Sequence, residues 1–203
     1  MVIPAHILRQ LGHPSGFTGR LILRLLNHVN KNMNHHALQA LKIGAQDRIL
    51  EIGFGGGGLA ANLLAEEAGL HLTGCDISEL AVKKAQRRFA AYPHAGFDVV
   101  SAEALPYSDG SFTKVVAVNV IYFWQNIPAT LREIFRVCQA GGQVVLCYSE
   151  LGPDEVRLFR PAELETQLHA AGFGGVVSTA IATDDTDSHF CTVAIKEGLT
   201  PAG

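Results

Sequence analysis

The chain has 203 residues, 48% of them hydrophobic and 17% charged, and its formal net charge is −3. Such a composition is typical of a globular protein and excludes an intrinsically disordered chain. The acidic balance also argues against nucleic acid as a partner, because binding to phosphates needs clustered lysine and arginine.

The N-terminal part carries a helical pattern. Between residues 18 and 41, apolar residues recur every three or four positions, beginning at Ile22 and ending at Leu41. This stripe predicts a helical extension, residues 1–45, that packs over the rest of the chain.

The same segment contains His28, His35 and His36. His35 and His36 are adjacent, so their side chains point apart on a helix, and no carboxylate or thiol follows four residues later. We therefore predict no metal site.

From residue 48 onward, strand and helix patterns alternate. The predicted strands cover residues 48–53, 71–76, 97–102, 113–119 and 142–149, and the predicted helices cover 58–69, 78–92 and 128–140. Ser78 is a suitable N-cap for the second helix, and Gly141 with Gly142 could end the third. Nearly continuous apolar strands that alternate with helices predict a parallel sheet covered on both faces.

The C-terminal part departs from this alternation. A helical segment, 161–173, precedes two β-rich runs, 175–183 and 189–197, and the five residues between those runs are too few for a crossover helix. The two strands must therefore be antiparallel. The predicted fold is α/β: a Rossmann-like doubly wound sheet, mostly parallel, with one antiparallel strand near the C-terminus. Since no linker or repeat is visible, we expect one domain over 1–203, with its core at 46–203.

The four cysteines share one kind of environment. Each lies within an apolar run and none forms a C-x-x-C pair; they are Cys75, Cys138, Cys147 and Cys191. We expect free, buried thiols of a reducing compartment. The N-terminus lacks the pattern of a secretion signal, and no apolar run approaches the ~20 residues that cross a bilayer. A cytoplasmic protein without stable membrane insertion is therefore predicted.

Five glycines within six positions follow the first predicted strand, in "ILEIGFGGGGLA" (49–60). Gly53, Gly55 and Gly58 fit the dinucleotide spacing G-x-G-x-x-G, whereas Gly53, Gly55 and Gly57 fit E-x-G-x-G-x-G counted from Glu51. In either case the backbone can approach a ligand closely beside a helix N-terminus. The glycines alone do not choose between the two spacings.

Asp76 stands at the end of the second predicted strand, 23 positions after Gly53. A carboxylate at this place can accept both hydroxyl groups of an adenosine ribose. The alternative role is that Asp76 caps the helix that begins near Ser78. We favour the ribose role.

Two further segments are more specific: "SAEALPYSDGSFTKVVAVNVIYFW" (101–124) and "REIFRVCQAGGQVVL" (132–146). Together with the glycine loop and the reversed strand, they resemble the class I S-adenosylmethionine-dependent methyltransferases that act on small molecules. The resemblance covers about residues 46–150 by motif. The chain departs from the family pattern at Thr113 and Lys114, where an Asp is usual, and before Gly141, where Pro is usual.

The resemblance implies S-adenosylmethionine as the cofactor and gives each matching residue a role. Glu51 and the loop of Gly53, Gly55 and Gly57 would line the methionine half, and the carbonyl of Asn119 would face the methionine amine. Asp76 would hold the ribose. Ile77 would face the adenine ring, and Ala102 and Glu103 would meet the edge of that ring.

The acceptor side is marked by aromatic residues. Tyr122 and Trp124 follow the fourth predicted strand, and Tyr148 lies at the tip of the fifth, where ligands of such sheets bind. Tyr122 is a candidate catalytic and substrate-binding residue, and Trp124 and Tyr148 are candidate substrate contacts.

The N-terminal extension would cover the pocket, as similar extensions do in the family. It adds Met33 as a candidate substrate contact, and His36 as a candidate general base if the acceptor is a hydroxyl or a phenol.

The acceptor class follows from these residues. The segment "NVIYFW" is not the N/D-P-P-Y/F of enzymes that methylate nucleic-acid amines. We therefore expect a small or medium-sized, aromatic or apolar acceptor and no nucleic acid. Two alternatives remain open: an NAD(P)-binding oxidoreductase, and a protein that binds S-adenosylmethionine without catalysis. The sequence does not predict the methylated atom or the oligomeric state.

Overall fold

The apolar runs of the sequence form one seven-stranded sheet. The computed structural model describes residues 28, 30–67, 69–150, 159–182 and 188–198. The strands are β1 (Arg48–Ile52), β2 (His71–Asp76), β3 (Ala95–Val99), β4 (Phe112–Val118), β5 (Cys138–Ser149), β6 (Gly174–Ile181) and β7 (His189–Ile195). The helices are α1 (Lys31–Leu41), α2 (Gly58–Glu66), α3 (Glu79–Arg88), α4 (Ile127–Val137) and α5 (Pro161–Ala170), with a 3₁₀ turn at Ile121–Phe123.

The strand order is β3-β2-β1-β4-β5-β7-β6. Strands β1 to β5 pair in parallel, whereas β7 is antiparallel to both β5 and β6. The prediction of a mostly parallel sheet with one reversed strand is therefore confirmed. The chain moves outward from β1 to β3 and then returns to place β4 on the other side of β1. Such a switch point opens a crevice at the carboxyl ends of the strands.

Both faces of the sheet are buried. Helices α1, α2 and α3 contribute to one hydrophobic cluster, with Leu41 and Leu63 completely inaccessible. Helices α4 and α5 contribute to the other, with Leu131 and Leu168 completely inaccessible. The strands are therefore apolar on both sides, which explains their almost unbroken hydrophobic runs. No helix in the described part of the chain has the length and apolar character needed to cross a bilayer.

Helix α1 is the part of the predicted N-terminal extension that the structure describes; the pattern at 18–27 lies outside the described residues. Lys114 Nζ donates to the carbonyl oxygens of Leu41 (2.6 Å) and Lys42 (2.8 Å), and it pairs with Asp47 Oδ2 at 2.9 Å. A cation at a helix C-terminus satisfies orphan carbonyls and opposes the helix dipole. Lys114, which departs from the family pattern, thus anchors α1 to the sheet.

Several predicted boundaries are wrong by three or four residues: the helix expected at 78–92 is Glu79–Arg88, and the strand expected at 97–102 is Ala95–Val99. A third such boundary concerns Gly141 and Gly142. The helix expected at 128–140 ends at Val137, and Cys138 is already extended, with ψ 135°. The glycines belong instead to an excursion of β5, between the pairings of Cys138 and Gln143 with β4. Gly141 has φ 75°, and a Cβ on Gly142 would lie 2.6 Å from Cys138 Sγ. The pair therefore serves a crowded turn within a strand.

Candidate active site

A cavity opens at the carboxyl ends of β1, β2 and β4, beside the switch point of the sheet. Its walls combine the glycine loop, the ends of these strands, the start of α1, and the segments that follow β3 and β4. Of the predicted residues it contains Glu51, Gly53, Gly55, Asp76, Ile77, Ala102, Glu103, Asn119 and Trp124. Gly57 is part of the same loop but does not line the cavity.

The glycine loop follows the alternating spacing. Gly53, Gly55 and Gly57 have φ values of 68°, 51° and 69°, whereas Gly58 is the first residue of α2. Positive φ at every second position matches E-x-G-x-G-x-G. Gly58 lines the cavity without a positive φ. A Cβ on Gly53 would lie 2.3 Å from Val120 Cγ2, so the chain itself requires this glycine.

The loop is held from outside by Arg88, at the end of α3. Arg88 Nη1 donates to the carbonyl oxygens of Gly56 and Gly57, at 3.1 Å in each case. Its guanidinium also lies 5.0 Å from the centre of the Phe89 ring. These contacts fix the outer half of the turn, whose inner half faces the cavity.

Asp76 performs two structural tasks and still lines the cavity. Its Oδ2 accepts from the backbone N–H of Gly55 at 2.9 Å, and its Oδ1 accepts from that of Ser78 at 2.8 Å. Ser78 itself is the N-cap of α3, since its Oγ accepts from the N–H of Ala81 at 3.3 Å. Asp76 thus joins the glycine loop to the start of α3, and the alternative of a purely capping role does not account for its contact with the loop.

Glu51 lies on β1 and is almost completely buried. Only 4% of its surface is exposed, and among the described residues its Oε2 has no hydrogen-bond partner. Burial, with a smaller contribution from the negative charge of Asp76, raises the pKa of Glu51 to about 8. The carboxyl group is therefore mainly protonated at neutral pH, and a cation placed beside it would favour its ionised form.

Asn119 follows β4 in a left-handed conformation, with φ 56°. Its backbone N–H donates to the carbonyl oxygen of Cys147 at 2.7 Å, which holds this conformation in place. Its side-chain Nδ2 donates to Asn30 Oδ1 at 3.0 Å, while Oδ1 has no partner among the described residues. A non-glycine residue with positive φ is a feature that clusters at functional sites.

The opposite wall is built by Ala102 and Glu103, after β3. Glu103 Oε1 accepts from the backbone N–H groups of Gln125 (2.6 Å) and Asn126 (3.1 Å). These bonds tie the segment after β4 to this wall. Trp124 is buried in the same hydrophobic cluster as Ala102, and its indole N–H has no partner in the described structure.

Besides Gly57, four predicted site residues do not line this cavity. Met33 lies on α1 with its side chain buried in the hydrophobic core, and His36 lies on the same helix outside the cavity. The Tyr122 hydroxyl donates to the carbonyl oxygen of Ser149 at 2.8 Å. Tyr148 is completely inaccessible, with its hydroxyl 3.2 Å from Thr192 Oγ1. Because side chains alternate between the two faces of β5, that of Tyr148 packs in the hydrophobic core on one face of the sheet. The prediction that Tyr148 contacts the substrate is therefore corrected.

The cavity also contains residues to which no role was assigned from the sequence. Asn34 of α1, Phe54 of the glycine loop, Cys75 of β2 and the pair Val100–Ser101 after β3 all contribute to its walls. The sequence could have predicted that Val100 and Ser101 line the cavity, because they follow β3, which lies next to β2 in the sheet. No pattern in the sequence shows which polar residue of α1 faces inward.

Metal ligation is not supported within the described residues, where no group of three or more His, Cys, Asp or Glu side chains could hold an ion.

Comparisons with known proteins agree with this geometry. The family model of the methyltransferase domain matches residues 50–146, which include the glycine loop, Asp76, Glu103 and Asn119. Residues 50–146 thus form a methyltransferase domain, and the chain is similar to the class I S-adenosylmethionine-dependent methyltransferases. Its reaction is methyl transfer, and its cofactor is S-adenosylmethionine.

Three similar proteins illustrate how this methyltransferase relates to others. An uncharacterized methyltransferase of Bacillus subtilis, YdaC, is 29% identical over 71% of this chain and 81% of its own length. The phthiotriol/phenolphthiotriol dimycocerosates methyltransferase of Mycobacterium leprae is 30% identical over 63% of this chain. The match spans 46% of that enzyme, about half of its length.

Among solved structures, a chain from the complex between the Haloferax volcanii Trm112 methyltransferase activator and a methyltransferase superposes with a TM-score of 0.77. The match covers 98% of this chain and 100% of that one at 19% identity, which shows a common fold.

Proposed function

We propose that the methyltransferase holds S-adenosylmethionine across the cavity and methylates a small or medium-sized, aromatic or apolar acceptor. The observation that carries the proposal is Glu51, a buried carboxyl group that borders the glycine loop and has an oxygen without a partner among the described residues. An isolated buried carboxyl group is costly for the fold, and a cationic ligand would offset that cost.

The methionine half of the cofactor would lie between Glu51, Asn119 and the glycine loop. Its ammonium group would face the carboxylate of Glu51 and the main-chain carbonyl of Asn119. Its carboxylate would lie beside the backbone of Gly53 and Gly55, which have positive φ values and, as glycines, no side chain in the way. These groups of the protein therefore fit an amino acid. The ammonium group of the ligand would lie beside a carboxylate and a carbonyl oxygen, and its carboxylate would lie beside the glycine backbone.

The adenosine half would lie toward β2 and β3. The Asp76 carboxylate would accept from the ribose hydroxyls, while Ile77, which is 43% exposed at the cavity, would cover one face of the adenine. Ala102 and Glu103 would meet the edge of the ring. Trp124 shares the wall with Ala102, so we assign it to this end of the cavity as well as to the acceptor.

When bound, the cofactor supplies a sulfonium-activated methyl group. The chain's own residues then need only align the acceptor and exclude water. Tyr122 contributes at a distance, since its hydroxyl holds the backbone at Ser149 and so fixes the end of β5 beside the 3₁₀ turn. Met33 and His36 would support α1.

Support for an apolar acceptor comes from the hydrophobic part of the cavity wall. Phe54, Val120, Phe123 and Trp124 line the space left beside the polar groups. The relative named for phthiotriol and phenolphthiotriol dimycocerosates provides a precedent for a large apolar acceptor. We further propose a single cytoplasmic domain that binds no nucleic acid.

The test is transfer of a labelled methyl group from S-adenosylmethionine to a panel of phenols, thiols, amines, sugars and free amino acids. We expect turnover with at least one aromatic or apolar member and none with sugars or free amino acids. Tight cofactor binding without turnover across the panel would instead support the alternative of a non-catalytic binding protein.

A further inference from the structure

Three asparagines meet at one end of the cavity. Asn30 and Asn34 lie one turn apart at the start of α1, and Asn119 follows β4. Because the first two come from the N-terminal helix and the third from the sheet, the cluster forms only when α1 is docked. The hydrogen bond from Asn119 Nδ2 to Asn30 Oδ1 joins the two elements.

Asn34 brings a polar side chain to the cavity wall. The residue is 7% exposed and lines the cavity. The Oδ1 atom of Asn119 is buried and has no hydrogen-bond partner among the described residues. A buried polar group that stays unsatisfied destabilises the fold, so this oxygen, at the cavity that Asn34 also lines, indicates a ligand that completes its hydrogen bonds.

Helix formation does not explain Asn34. Asparagine is a poor residue for a helix interior, and α1 buries apolar side chains one position before and three positions after it, at Met33 and Ala37. A purely structural role would be served better by another apolar residue.

We propose that Asn34 and Asn119 orient the acceptor, and that the acceptor presents a neutral O–H or N–H group to them. This inference rests on the proposed function, in which Glu51 and the Asn119 main-chain carbonyl hold the cofactor's amine. The Asn119 Oδ1 atom can only accept, so its partner must carry a hydrogen. The Asn34 amide can donate to a lone pair of the same group. A carboxylate or phosphate of the acceptor, having no hydrogen, does not fit the Asn119 oxygen.

The experiment uses the full chain saturated with S-adenosylhomocysteine and three probes that share one ring: phenol, aniline and toluene. The variant Asn34→Leu keeps the approximate volume of the side chain and removes its hydrogen bonds. Asn62→Leu, on the exposed face of α2, is the matched control. Asn119→Gly is a second variant, since glycine tolerates the positive φ of that position.

We expect the wild-type complex to bind phenol and aniline more tightly than toluene. Asn34→Leu and Asn119→Gly should each weaken phenol and aniline binding about tenfold. Toluene binding should stay within about twofold in both variants, and S-adenosylhomocysteine affinity should stay within about twofold in Asn34→Leu. Asn62→Leu should change neither.

The inference is overturned if wild type binds toluene as well as phenol, or if Asn34→Leu loses S-adenosylhomocysteine affinity as much as phenol affinity. The second result would assign the amides to the cofactor. Failure of wild type to bind S-adenosylhomocysteine at all would instead overturn the proposed function itself, so the two failures are distinguishable.

Discussion

At the scale of single residues, the buried carboxyl group of Glu51 lowers the free energy of unfolding at neutral and higher pH. Its pKa of about 8 lies well above the usual value of 4.5, chiefly because the group is desolvated. Between pH 4.5 and pH 8, therefore, Glu51 keeps its proton in the native protein but has lost it in the unfolded chain. Folding stability accordingly falls as the pH rises from about 4.5 to about 8.

Replacing Glu51 by Gln removes this titration. We expect Glu51→Gln without cofactor to be more stable than wild type at pH 8.5, by up to about 4 kcal/mol, and nearly equal to it at pH 4.5. Urea denaturation at both pH values measures the difference. A stability difference that does not depend on pH would show that Glu51 does not titrate in this range.

Asp76 offers a second prediction at this scale. Asp76→Asn should weaken S-adenosylmethionine binding at least tenfold, because a neutral amide contacts ribose hydroxyls less strongly and presents an N–H toward that of Gly55. Asp98→Asn, an exposed carboxylate on the adjacent strand β3, serves as the control in calorimetry. Unchanged affinity in Asp76→Asn would refute the ribose role.

At the scale of elements, the segment between β3 and β4 is positioned by one arginine of α4. Arg136 donates through Nη2 to the carbonyl oxygen of Leu105 (2.8 Å) and through Nη1 to that of Tyr107 (2.7 Å). It also pairs with Asp109 and Glu133, at 2.8 Å in each case. These bonds join the two motifs at 101–124 and 132–146: the first supplies part of the cavity wall, and the second holds it.

Arg136→Lys should therefore lower stability by about 2 kcal/mol, because a lysine cannot reproduce the forked geometry. It should also weaken cofactor binding severalfold, although Arg136 does not line the cavity. Arg132→Lys, on an exposed position of the same helix, is the matched control for both measurements. Loss of stability with unchanged cofactor affinity would contradict the positioning role.

The attachment of α1 gives another prediction. Lys114→Met should destabilise the protein by about 2 kcal/mol, since the last carbonyls of α1 and the carboxylate of Asp47 lose their cation. Lys83→Met removes only an exposed pair with Glu79 and should cost a few tenths of a kcal/mol. Equal thermal shifts for the two variants would contradict the account of α1.

Most elements could be predicted from the sequence because their hydrophobic patterns are set by local geometry. The reversal of β7 followed from the short connection before it, and the N-cap of α3 from Ser78. The end of α4 could not be predicted in the same way. There, Gly142 lies against Cys138 and Gly141 takes a positive φ within β5, and both depend on tertiary packing rather than on the local pattern.

At the scale of the whole molecule, more of the residues expected at the cofactor than of those expected at the acceptor line the cavity. Glu51, Asp76 and Ala102 follow or end strands, so the topology of the sheet brings them to one edge. The direction of Tyr148 depends on the register of β5, and that of Asn34 on how α1 docks. Neither is determined by neighbours in the sequence.

The cysteines are distributed over the whole sheet and are all buried and free. Burial raises the pKa of Cys138 to about 11 and that of Cys75 still further. We expect no reaction with a thiol reagent within minutes in the native state, and four reactive thiols after denaturation. Fewer than four under denaturing, non-reducing conditions would reveal a disulfide.

The central claim is that the cavity beside the sheet's switch point holds S-adenosylmethionine. Calorimetric titration of the wild-type chain with S-adenosylmethionine, S-adenosylhomocysteine and NAD tests it most directly. We expect both sulfur compounds to bind at one site per chain, and NAD to give no response. Tight binding of NAD, with no response to either sulfur compound, would contradict the claim and favour the oxidoreductase alternative.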